Sequence, residues 1–190
     1  MGVTMGKRNV RIYLLYLLEN IDYPLDYPTL VDIVRQNDYV AYLDLAEEFA
    51  ELQTMGLVEK AGQNDRGEDL FAVTRQGRLV ADSLNGEIMA PILDKSLNDA
   101  LRYLDFKARG VTPHTAMERL ADGRVSVKLW LDEKGTELWR TELVVDTVNR
   151  ATRMVDNFSR HPDAVYRGVM SIVSGNVNYI FGENIEKRQY

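Results

Sequence analysis

The chain has no cysteine and only two histidines among its 190 residues. Without cysteine there is no disulfide framework, no thiolate metal site and no cysteine nucleophile, which fits a reducing cytoplasm. His114 and His161 are far apart, and neither sits in a metal-binding spacing. No run of about 18 apolar residues is present to span a bilayer. GxSxG elbows, P-loops and glycine-rich dinucleotide turns are also missing. The expectation is therefore a cytoplasmic protein that is not an enzyme and carries no cofactor or metal. The N-terminus, MGVTMGKRNVRIYLLYLLEN, puts basic residues before an apolar run, but Glu19, Asn20 and Asp22 follow without a small-residue cleavage site. It reads as a core helix rather than a signal peptide.

What is present is an ordinary globular composition, 45% hydrophobic and 27% charged. The length allows one large domain or two small ones. The net charge of −6 is uneven. Residues 1–85 carry eight Lys/Arg against fourteen Asp/Glu, and residues 86–190 carry fifteen of each, so the first half holds all the acidic excess.

The most informative stretch runs from Asp44 to Gly77. Leu45, Phe49 and Leu52 form an apolar helical stripe, with Asp44 as the expected cap and Glu47 as its capping-box partner. Gly56 stands where a helix ends on a left-handed residue. Leu57 and Val58 open a strand, Gln63 to Gly67 make a polar turn, and Leu70, Phe71 and Val73 return. Thr74 is placed to cap the next helix. Helix, strand, hairpin tip, strand, helix is the order of a winged helix.

Before it, Val10, Leu14, Leu17 and Leu18 define a first helix, widened by Ile12, Leu15 and Ile21. Tyr23 to Asp26 reads as a turn, with Asp26 capping a second helix that tolerates Pro28 in its first turn. After it, a helix from Pro91 carries Leu93, Leu97, Leu101 and Leu104, the stripe expected of a dimerisation element or of a helix that packs on the next domain. From residue 111 the period changes to alternation. A hairpin of residues 124–131 and 137–145, preceded by a weaker strand from Thr112 to Leu120, leads into a helix capped by Asp146 and a last helix from Pro162 or Asp163. The fold class is α+β: a winged helix-turn-helix over residues 7–85, a linker helix over 86–110, a three-stranded antiparallel sheet with two helices over 111–174, and a tail over 175–190.

The run IYLLYLLENIDYPLDYPTLVDIVRQNDYVAYLDL, together with the later hairpin and paired C-terminal helices, resembles an uncharacterised family of bacterial winged-helix proteins of similar length, a domain of unknown function. The resemblance covers nearly the whole chain and rests on structural motifs. It implies the fold and dimerisation, and it supplies no activity.

Two functions follow. One is a homodimeric transcriptional regulator that binds double-stranded DNA. Its contacts would come from Lys7, Arg8, Arg66 at the hairpin tip, Arg75, Arg78 and Tyr42. The dimer would form through Leu93, Leu97, Leu101, Leu104 and Trp139, with an effector left unassigned. The other is a winged helix without DNA binding that meets a protein partner through its acidic third helix. Local charge separates them: cationic side chains neutralise phosphate, and the outward face of the third helix shows Glu47, Glu51 and Thr54. Each candidate has a plainer alternative. Arg66 fits an exposed turn arginine, Tyr42 a core contact, Trp139 a core residue, and the Glu47–Glu48–Glu51 cluster a solvated face. The Asn157-Phe158-Ser159 sequon reads as chance.

Overall fold

The computed structural model describes residues 5–175. The expected tail therefore lies outside the described residues from 176 onward. The described chain is α+β, with seven α-helices and two antiparallel three-stranded sheets. It divides into two compact units, residues 1–104 and 105–190.

In the first unit the order is α1 (Lys7–Ile21), β1 (Leu25–Asp26), α2 (Tyr27–Val34), α3 (Tyr42–Thr54), β2 (Val58–Gln63), β3 (Asp69–Val73), α4 (Arg75–Leu84) and the start of α5 (Ala90–Ala108). Helix α1 is buried on several sides. Val10, Tyr13, Leu14 and Leu17 are fully inaccessible, and the helix packs against α3, α4 and β3. Burying each of these Val and Leu side chains is worth about 1.5–3 kcal/mol, and α1 brings eight buried residues to this core. Asp26 caps α2 as expected, accepting from the Thr29 amide at 2.8 Å. Thr74 caps α4, its hydroxyl accepting from the Gly77 amide at 3.0 Å.

Gly56 is left-handed (φ 68°), and the Leu57 amide reaches back to the Leu52 carbonyl at 2.9 Å. This is the closure that ends a helix with a glycine and satisfies its last carbonyls.

Three local expectations are corrected. Residues 25–26 form a short strand rather than part of a turn. Leu25 and Asp26 pair with Phe71 and Leu70, giving the sheet order β1-β3-β2. A two-residue strand has no periodicity of its own, and only its partner reveals it. Helix α3 starts after Ala41, not Asp44. The Leu45 amide bonds the Ala41 carbonyl at 3.0 Å, which leaves Asp44 in the first turn, where a carboxylate suits the helix dipole. Consequently Glu47 has no capping-box role. Helix α6 (Val148–Arg160) is capped by Thr147, which accepts from the Arg150 amide, and not by Asp146.

The second unit contains β4 (Val111–Arg119), β5 (Val125–Glu133), β6 (Thr136–Val145), α6 and α7 (Pro162–Val173). The sheet order is β4-β5-β6. Val125, Val127, Leu129 and Leu131 alternate along β5 and are buried with Ala151 and Phe158 of α6. The strand expected to be weak, β4, pairs with β5 along nine residues.

Candidate nucleic-acid interface

The loop joining β2 and β3 is built around Asn64. Its side-chain oxygen accepts from the Arg66 amide at 2.9 Å and the Glu68 amide at 3.0 Å, and its carbonyl accepts from the Gly67 amide at 2.9 Å. Gly67 takes a left-handed φ of 77°, which closes the turn. Arg66 is thereby held exposed at the tip. Below it, Lys60 pairs with Asp69, and this hydrogen bond holds the Asp69 carboxyl below its usual range.

The exposed end of α3 is mixed. Tyr42 is 64% exposed and Leu43 is 66% exposed. Leu43 was not among the sequence-based candidates, although its offset from the Leu45–Phe49–Leu52 stripe is the signal that would have found it. Glu47 and Glu51 are exposed on the same helix, whereas Glu48 is buried.

The basic side chains between residues 7 and 78, the expected cations among them, divide into two groups. Lys7 donates to Glu47, which raises the lysine pKa through the hydrogen bond and the charge. Arg11 lies 2.7 Å from the buried Glu48, Arg8 donates to Glu87 at 2.6 Å, and Arg78 to Asp22 at 3.3 Å. Arg35, Arg66 and Arg75 are exposed and have no carboxylate within ion-pair distance among the described residues. Exposed ion pairs are worth little, so a phosphate can displace a carboxylate from Lys7, Arg8 or Arg78. At Arg66 and Arg75 nothing has to be displaced.

The expected dimer residues also separate. Leu93 and Leu104 are buried in the core of the first unit, Leu97 is half-buried against it, and Leu101 is 44% exposed. Trp139 is half-buried, its ring 6.0 Å from Phe158.

On the sheet face of the second unit opposite the buried residues of β5, three side chains in register lie side by side. His114 stacks on Trp130 at 5.1 Å, and the Arg140 guanidinium lies 4.8 Å from the Trp130 ring centre. His114 also meets Asp132 at 3.1 Å. Sequence reasoning missed this row, because only strand register aligns positions from three strands. Among the described residues, no group of three His, Asp or Glu side chains could hold a metal ion, and no helix is long and apolar enough to cross a membrane.

The chain belongs to the family described as a domain of unknown function (DUF4364), whose model matches residues 10–173. No curated protein matches it.

Proposed function

We propose that the first unit is a winged helix-turn-helix, and that the protein is a DNA-binding transcriptional regulator acting as a homodimer in the cytoplasm. The element order α1-β1-α2-α3-β2-β3, with β1 added to the hairpin, supports the winged-helix reading. The observation that carries DNA binding is Arg66. It is exposed at the tip of a turn ordered by Asn64, with no carboxylate partner to give up among the described residues. Arg75 joins it as a phosphate contact, Tyr42 offers a hydroxyl at the start of α3, and Lys7, Arg8 and Arg78 exchange their carboxylates for phosphates. Glu47 and Glu51 weaken non-specific attraction, so the hairpin leads the contact and α3 follows.

A second reading is favoured by one observation: Tyr42 and Leu43 are adjacent, both largely exposed, and next to the acidic face of α3. An apolar pair with an acidic surround suits a basic, amphipathic protein partner better than it suits phosphate.

Fluorescence anisotropy with duplex DNA across a salt series separates the two. The regulator reading expects binding that weakens with salt, with Arg66→Ala lowering the slope by about one unit. Absence of binding at low salt, both to random duplex and to fragments selected from a genomic library, overturns it and leaves the protein-contact reading.

A further inference from the structure

Strand β6 is ten residues long, contains no proline and, among the described residues, pairs only with β5. Its other edge therefore offers unpaired backbone donors and acceptors. A long edge strand of this kind is a template for another strand unless it is blunted. Strand β4, at the opposite edge, contains Pro113, which removes a donor. Two side chains on β6 are apolar and open to solvent: Leu143 is 42% exposed and Val144 is 48% exposed.

The residues of β6 identify what would pair with it. Around Thr141 the strand reads Leu138-Trp139-Arg140-Thr141-Glu142-Leu143-Val144. A second copy laid antiparallel with Thr141 on the twofold axis opposes Arg140 to the partner's Glu142 and Trp139 to the partner's Leu143. Within residues 139–143, which lie beyond the bulge at Leu138, each charged residue meets its opposite and each apolar one meets an apolar one. Cross-strand pairs of both kinds stabilise antiparallel sheets, and the twofold axis repeats each of them. The register agrees with the two faces of the sheet. Trp139, Thr141 and Leu143 oppose Leu131, Leu129 and Val127 on the buried side, while Arg140 and Glu142 oppose Trp130 and Lys128 on the other. The Arg140 guanidinium is already held by Glu137 at 2.6 Å and by the Trp130 ring, so little freedom is lost when it meets a second carboxylate.

We propose that a second copy of this chain docks on β6 through antiparallel self-pairing centred on Thr141, joining two three-stranded sheets into one of six strands. This rests on the homodimer reading above and names its surface.

The absence of cysteine supplies the test. Facing residues of an antiparallel pair lie about 4.5–5.5 Å apart at Cα, within disulfide range. The full chain carrying Thr141→Cys should oxidise to a covalent dimer. Glu137→Cys, roughly 27 Å from its own copy in this register, should not. By light scattering, Arg140→Glu should weaken the dimer about tenfold, and the double variant Arg140→Glu, Glu142→Arg should restore it. That rescue would not follow from damage to the fold alone. A dimeric wild type in which Thr141→Cys fails to cross-link, or which Leu101→Arg but not Arg140→Glu dissociates, overturns the β6 interface and leaves the homodimer standing. A wild type that remains monomeric at high micromolar concentration overturns both.

Discussion

Lys7 of α1 donates a hydrogen bond to Glu47 of α3, forty residues away in sequence, so the lysine beside the third helix neutralises that helix's own acid. Glu47→Gln removes one negative charge and frees one positive charge at the same place. Duplex DNA affinity should rise and the salt dependence should steepen by about one unit, read by anisotropy between low and physiological salt. An unchanged slope would place Lys7 away from phosphate.

Gly77 lies in the first turn of α4, where helix propensity favours alanine by about 1 kcal/mol. A Cβ there would stand 2.2 Å from the Leu57 carbonyl oxygen and 2.7 Å from the Val73 Cγ2 atom. Backbone cannot yield as a side-chain end does. Gly77→Ala should therefore destabilise the protein by roughly 1–3 kcal/mol, opposite in sign to the propensity effect. Urea unfolding followed by circular dichroism gives the comparison directly.

The two residues before α6 make a paired test. Thr147 accepts from the Arg150 amide, while among the described residues Asp146 makes an exposed ion pair with Arg150 and no cap. Thr147→Ala should cost about 1 kcal/mol and Asp146→Ala less than about 0.5 kcal/mol. The reverse order in thermal unfolding would show that Asp146 supplies the cap.

Tyr13 is completely buried in α1, and burial pushes its hydroxyl from the ordinary 10.0 up to about 12. Tyr103, which donates to Asp32 at 2.7 Å, is raised by burial and by that carboxylate. The unfolded chain therefore loses these protons first as pH rises. Their contribution is complete below pH 10 and is lost from there toward 12 and beyond. Stability measured at pH 9, 10 and 11 should fall steadily, and Tyr103→Phe should flatten that fall.

Much of the first unit was legible in the residues. The Leu45–Phe49–Leu52 stripe, Gly56, the polar tip and the Asp26 and Thr74 caps each act within a few positions, so local spacing reveals them. The helix starts misread at Asp44 and Asp146 have a common cause. Each time an acid stood close to the true start, and the cap was decided by which residue took an extended backbone, at Ala41 and Thr147. Arg66 was identifiable because it lies within its own turn. The pairing of Lys7, Arg8 and Arg78 was not, because their carboxylates lie 40, 79 and 56 positions away.

By itself the sequence determined the α+β class, the switch from helical to alternating periodicity near residue 111, the missing thiol chemistry and the acidic excess of the first half. Those properties are sums over residues or patterns within one element, and no distant contact changes them. Only the tertiary structure decided that residues 25–26 join the hairpin, that Leu93 and Leu104 serve a core while Leu101 stays open, and that His114, Trp130 and Arg140 form one row. It also decided which cations remain unmatched. Each of these depends on contacts between positions far apart along the chain, where packing and strand register, not spacing, choose the neighbours.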